Sequence, residues 1–254
     1  MSRNFEEQVV LITGAGAGIG QAAALAFARE GARMVLNSRS VASTHTTADL
    51  LRAEGAEVVE VCGDVALPGT AQAMAEAALQ HFGWIDVLVN NAGIVIPGTV
   101  DTITPDELDR SMATNVRSVL QLTQAVLPAM RARKGGSIVN IASIAGLKGT
   151  KNRIAYSASK GALISMSRSM ALELAPEHIR VNCVCPGMTH SPSLAARIAA
   201  SPDPAAAEAG FIAAVPMGAL GEPEEIASAI LFCADRACSF MTGAVITVDG
   251  GKSL

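Results

Sequence analysis

Val9-Val-Leu-Ile-Thr-Gly-Ala-Gly-Ala-Gly-Ile-Gly20, continued by Gln21-Ala-Ala-Ala-Leu-Ala-Phe-Ala-Arg-Glu30, decides how this chain folds. A short β-branched run reads as a buried strand, the glycines as a tight turn, and the Ala-rich stretch as a helix closed by Gly31. Strand, glycine turn and helix in that order place a helix N-terminus at the end of a strand. Gly14, Gly18 and Gly20, spaced Gly-x-x-x-Gly-x-Gly around Ile19, supply backbone with positive φ. They also keep Cβ atoms away from an approaching anion, and the helix N–H groups point at it. The stretch therefore predicts a pyrophosphate site for a dinucleotide.

The pattern repeats outward from that stretch. Strands are expected at Arg33–Asn37, Glu57–Cys62, Asp86–Val89, Ser137–Ala142, Ile179–Val184 and Ala244–Val248. Helices are expected over 40–54, 68–82, 104–131, 153–174 and 222–234, the third opened by Thr104-Pro-Asp-Glu107, a capping box with Pro at N1. Most strands are continuous apolar runs, which points to a parallel sheet covered on both faces, a three-layer α/β fold. No composition break divides the 254 residues, so 1–254 reads as one domain. Gly187 to Gly210, with Pro192, Pro202 and Pro204, reads as irregular, and 187–212 as a mobile lid over a substrate.

Composition narrows the function. Half the residues are hydrophobic and only 3% aromatic, so the core is aliphatic; the net charge of -4 gives no basic surface for nucleic acid. No apolar run reaches the ~18 residues of a membrane span, and the polar Met1-Ser-Arg-Asn start lacks a signal segment. A cytoplasmic location is the expectation. Cys62, Cys183, Cys185, Cys233 and Cys238 show no metal-ligand spacing and read as small reduced hydrophobes, and no metal site is expected. Of the four histidines only His190 falls near the predicted lid, and Trp84 is expected at a helix end.

The chemistry centres on Tyr156-Ser-Ala-Ser-Lys160. Residues four apart share a helix face. An ammonium ~5 Å from a phenol at an effective dielectric of ~20 favours the phenolate by roughly 3 kcal/mol, or ~2 pKa units. Ser143, at the end of its strand, offers a hydroxyl that could hold a substrate oxygen against Tyr156. The second strand ends Asn37-Ser38-Arg39 with no carboxylate for a ribose. Arg39 can instead pair with a 2'-phosphate, so NADP(H) is expected, while NAD(H) beside Ser38 is the other reading.

Taken together, the glycine turn, Asn90-Asn-Ala-Gly93, Asn115, Ser143, Tyr156-x-x-x-Lys160 and Pro186-Gly187 make the chain resemble the short-chain dehydrogenase/reductase family over nearly its whole length. The resemblance implies a doubly wound Rossmann fold with a mainly parallel seven-stranded sheet. It implies that Tyr156 is the general acid/base, that Ser143 holds the substrate oxygen, that Lys160 binds the nicotinamide ribose, and that Asn115 carries a water-linked proton relay. Asp64 and Val65 would meet the adenine, Asn91, Ala92 and Gly93 line the cofactor cleft, and Pro186, Gly187 and Thr189 touch the nicotinamide end. It also implies a homotetramer built through two long helices and the last strand.

Ala17 stands where many NADP-preferring relatives carry a basic residue. Ile94-Val-Ile96 and Glu173 depart from the pattern of 3-oxoacyl-carrier reductases. Ile94, Val95, Ile96, Ala145, Leu147, Met188 and Leu194 are expected to line an apolar pocket for a small-molecule substrate, with Lys148, Lys151 and Arg153 at its rim. A secondary alcohol or ketone, a 3-oxoacyl thioester and, with NAD, a sugar or polyol all remain open as substrates, as does a regulator without chemistry.

Overall fold

The structure is a computed structural model describing residues 4–254; the polar start at Met1 to Arg3, read as lacking a signal segment, lies outside the described residues. Seven strands form one sheet: β1 Val9–Thr13, β2 Arg33–Ser38, β3 Val58–Cys62, β4 Val87–Asn90, β5 Gly136–Ile141, β6 Ile179–Pro186 and β7 Val245–Val248. Their order is β3-β2-β1-β4-β5-β6-β7, and every pairing is parallel. The direction of winding reverses between β1 and β4, where a doubly wound sheet opens a crevice at its carboxyl ends.

Helices α1 Gly18–Arg29, α2 Val41–Ala53 and α3 Thr70–Phe82 follow the first three strands. Then come α4 Pro105–Met112, α5 Ser118–Ala132, α6 Ile154–Leu174, α7 Pro192–Ala199, α8 Pro204–Ala213 and α9 Pro223–Ala234. The apolar run of β1 divides by its period of two. Val10 and Ile12 join the core under α1 and α9, while Val9 and Leu11 join the opposite core with residues of α3, α5 and α6. Each such buried Val, Leu or Ile contributes about 1.5–3 kcal/mol, which is why these strands carry no polar face.

Two local readings are corrected. The stretch 187–210 is not irregular: Pro192 and Pro204 open α7 and α8 at their first turns, capped by Ser191 through Leu194 N and by Asp203 through Ala206 N. A proline costs nothing there because those N–H groups have no helical partner. The helix expected over 104–131 starts with the predicted Thr104–Glu107 capping box, but Ala113–Arg117 between α4 and α5 winds as a π-turn. Among the cysteines, Cys183, Cys185 and Cys233 are buried, while Cys62 is exposed on the β3 edge. Trp84 sits after α3 between the guanidinium groups of Arg33 and Arg133, at 5.6 and 5.1 Å from its ring.

Candidate active site

A cavity of about 640 Å³ lies over the carboxyl ends of β1, β4 and β5. Its floor begins at the glycine turn, where Gly14 and Gly18 have φ of 66° and 56°. A Cβ on Gly20 would stand 2.3 Å from the Gly14 carbonyl oxygen and 2.4 Å from Asn91 Nδ2. Gly20 thus lies beneath the turn, outside the cavity lining, and serves close packing. Asn91 donates to the carbonyl oxygens of Thr13 and Gly14 at 3.0 and 3.1 Å, while Thr13 Oγ1 accepts from the N–H groups of Asn91 and Ala92. The turn and the end of β4 are therefore one hydrogen-bonded unit.

No side chain caps α1, whose N-cap is Ala17, so its first N–H groups face the cavity beside Gly18 and Ile19. That donor set and the turn fit a dinucleotide pyrophosphate. Asp64 and Val65 line the same end, as do Ser38 and Arg39. The Ser38 hydroxyl is already engaged by Ser40, Ser43 and Thr44, at 3.1, 3.3 and 2.6 Å. Arg39 is exposed and, among the described residues, has no ion-pair partner.

At the other end Ser143, Tyr156 and Lys160 meet, together with Ala92, Gly93, Pro186, Gly187 and Thr189. Ser143 caps a short turn, Ile144–Gly146, and its hydroxyl accepts from Ala145 N at 3.1 Å. Lys160 is buried and donates from Nζ to the Ile141 carbonyl oxygen at 2.7 Å. Burial pulls its pKa from 10.5 to about 8. The Lys160 ammonium lies 5.8 Å from the centre of the Tyr156 ring.

The expected acidification of the phenol is not what the protein alone produces. Burial pushes the Tyr156 pKa above its ordinary value, and the hydrogen-bonding Ser143 hydroxyl and the charges of Arg153 and Arg197 only partly offset that. The phenol's own burial is the larger effect, and the Lys160 ammonium, 5.8 Å from the ring, donates to the Ile141 carbonyl oxygen.

Asn115 lies in the π-turn, fully buried and behind the cavity wall. Its Oδ1 accepts from Ile94 N at 2.8 Å, and its Nδ2 donates to Ile94 O at 3.0 Å and to Ser159 Oγ at 2.9 Å; Ser159 in turn donates to the Tyr156 carbonyl oxygen at 2.8 Å. This chain fixes the loop after Gly93 against the helix bearing Tyr156. A second buried ladder, Asn90 to Asn140 to Ser167 with both steps at 2.8 Å, joins β4, β5 and α6 and was not anticipated.

Of the expected pocket residues, Ile94, Val95, Ala145, Met188 and Leu194 line the cavity, as do Lys148, Lys151 and Arg153. Ile96 and Leu147 do not, and neither does His190, which faces Glu222 at 3.6 Å. Thr114, Arg197 and Lys252 line it and were missed. Arg197 had a signal in the sequence: it is the one Lys or Arg between 187 and 212. Among the described residues Asp64 is the only carboxylate in the lining.

The comparisons agree with this geometry. Residues 14–253 match the family model described as enoyl-(acyl carrier protein) reductase. The chain is 43% identical over 250 residues to an oxidoreductase of Thermotoga maritima described as uncharacterized, covering 98% of this chain and 99% of that one. It is 38% identical over 253 residues to 2-(S)-hydroxypropyl-CoM dehydrogenase 3 of Xanthobacter autotrophicus, covering 100% and 99%. The solved L-sorbose reductase of Gluconobacter frateurii, complexed with NADPH and L-sorbose, matches with a TM-score of 0.95 and 32% identity, covering 100% and 99%. The chain belongs to the short-chain dehydrogenase/reductase family of oxidoreductases. Among the described residues no helix is long and apolar enough to cross a membrane.

Proposed function

We propose that this protein transfers a hydride between NADP(H) and a secondary alcohol or its ketone. The observation that carries the reading is a single cavity holding the uncapped α1 N-terminus and glycine turn at one end and Tyr156, Ser143 and Lys160 at the other. A bound nicotinamide supplies or accepts the hydride. Tyr156 gives or takes the proton at the substrate oxygen, and Ser143 donates a hydrogen bond to that same oxygen. Lys160 reaches the nicotinamide ribose from its seat on Ile141. Asn115 holds the wall behind Gly93 and Lys160, and its π-turn is where a water-linked relay would run.

The preference for NADP(H) rests on Arg39, which is exposed on the cavity with no carboxylate beside it, and on a β2 end that offers a ribose no acid. The NADPH named with the L-sorbose reductase supports it. Steady-state rates with NADPH and NADH test it: a clear NADPH preference that Arg39→Asp reverses is expected, and a preference for NADH in the unsubstituted protein would refute it. The thioester reading is favoured by 36% identity over 249 residues to a protein of Thermotoga maritima named 3-oxoacyl-[acyl-carrier-protein] reductase; turnover of an acetoacetyl thioester faster than of simple ketones would establish it instead.

The lid assignment for 187–212 is kept in a modified form. Both α7 and α8 are short, α8 buries no residue, and α7 places Leu194 and Arg197 in the cavity wall. Protection of this segment from proteolysis by cofactor is the expected readout. A homotetramer and a cytosolic location complete the proposal; exposed Leu120 on α5 and Leu172 on α6 offer apolar contact for the former. Light scattering on the purified protein tests the assembly.

A further inference from the structure

We propose that the substrate carries an anionic group, a carboxylate, sulfonate or phosphate a few bonds from the reacting carbon, held between Arg153 and Arg197 at the mouth of the cavity. This deepens the alcohol/ketone reading and rests on it.

The two arginines come from separate elements. Arg153 is the N-cap residue of α6, three positions before Tyr156, and donates to the carbonyl oxygen of its neighbour Asn152. Arg197 lies on α7, its guanidinium over the Phe211 ring of α8 at 4.9 Å from the ring centre. Both line the cavity that holds Tyr156. Both charges reach the phenol and act on each other.

Among the described residues no carboxylate forms an ion pair with either, whereas Arg29, Arg33, Arg52 and Arg131 each hold one. Two like charges brought together without a counter-ion, in a partly desolvated mouth, favour whatever anion sits between them. Guanidinium forks suit planar or tetrahedral oxyanions in two hydrogen bonds. Of the lysines at this end, Lys148 donates to the Lys252 carbonyl oxygen and Lys252 to the Ala214 carbonyl oxygen at 2.9 Å, while Lys151 adds a third positive charge to the rim without the planar fork of a guanidinium. Arg39, at the adenosine end, likewise has no ion-pair partner among the described residues, so the two anion sites are separated along the cavity.

The test is a matched panel of ketones reduced by the full-length protein with NADPH. Acetoacetate, 4-oxopentanoate and 4-oxopentane-1-sulfonate are set against 2-pentanone and 5-hydroxypentan-2-one. The expected ratio of kcat/KM, best anion over best neutral ketone, is about 10–100, the worth of one or two charge-assisted hydrogen bonds. Arg153→Gln and Arg197→Gln should each lower that ratio about tenfold or more through KM, and Arg→Lys at either position should restore part of it. NADPH affinity, titrated by Trp84 fluorescence or calorimetry, confirms that the variants are folded.

A ratio near one in the unsubstituted protein would overturn the proposal while leaving the alcohol/ketone reading standing. So would variants that keep the ratio, or that lose NADPH affinity in place of it. If no ketone of either kind is turned over while NADPH binds, the underlying reading fails and this inference with it.

Discussion

Lys160 donates from Nζ to the carbonyl oxygen of Ile141 at 2.7 Å, with its side chain buried under the cavity floor. The ammonium is therefore anchored to the end of β5 and carries a desolvation cost.

A lysine held at about 8 against 10.5 carries roughly 3 kcal/mol of destabilisation while charged. Loss of the bond to Ile141 costs about 1 kcal/mol. Lys160→Met is thus expected to abolish turnover yet stabilise the fold at pH 7 by about 1–2 kcal/mol. The sign follows from protons bound: between pH 8 and 10.5 the unfolded chain keeps a proton that the folded one has lost, so native stability rises there. The variant's advantage should be full below pH 8 and fade over that window. Urea melts across pH check it; a variant less stable than the parent at pH 7 contradicts the desolvation argument.

Tyr156 is the only tyrosine in the chain, so an ultraviolet pH titration of the native protein reports it alone. Without cofactor its midpoint should lie above 10, because burial outweighs Ser143 and the two arginines. Oxidised cofactor, whose ring is cationic, should bring it down. Tyr156→Phe should remove turnover and spare NADPH affinity. A midpoint below 10 in the cofactor-free protein would show that the cation beside the phenol dominates after all.

Asn91→Ala deletes two hydrogen bonds, to the carbonyl oxygens of Thr13 and Gly14, and loosens the glycine turn, leaving Thr13 Oγ1 as its remaining tie to the backbone N–H groups of residues 91 and 92. The expected loss is about 1–3 kcal/mol of stability and weaker NADPH binding without a change in substrate selectivity. Calorimetric titration would expose the opposite case, unchanged cofactor affinity.

Arg180, buried at the far end of β6, donates to the carbonyl oxygens of Cys233, Ala234, Asp235 and Met241 at 2.7–3.2 Å. It closes the C-terminus of α9 and ties it to the approach to β7. Arg180→Met leaves those acceptors in competition for no donor and should cost about 2–4 kcal/mol, read as a lower urea midpoint at constant slope. A midpoint within experimental error of the parent would mean that water replaces the guanidinium.

The sequence made the sheet legible because apolar runs such as Val9 to Thr13 are covered on both faces, and the α1 turn legible because glycines mark it. Tyr156 and Lys160 share a face of α6 as their four-residue spacing implies, and Ser143, two residues after β5, lines the same cavity. The phenol's shift was not legible: it depends on the depth of burial and on the Ser143 hydroxyl and the Arg153 and Arg197 charges, none of which is visible in four-residue spacing. The helices at 192–199 and 204–213 are hidden in the sequence because Pro192, Pro202 and Pro204 fall close together among Ala and Ser, whereas the capping Ser191 and Asp203 just before two of these prolines signal helix starts. Asn91 and Asn115 were legible as positions; their actual partners lie 21 to 78 residues away.

The π-turn at Ala113–Arg117 also has a mechanical reading. Upstream of it α4 packs on α6, and downstream α5 packs on α3. One extra residue in the winding shifts the phase of a single rod, so its two halves present different seams to different neighbours. Deleting one residue there would restore a uniform pitch and turn one of those seams out toward water, so the wide turn works as a joint that lets one rod brace the helix bearing Tyr156 and clamp the opposite flank.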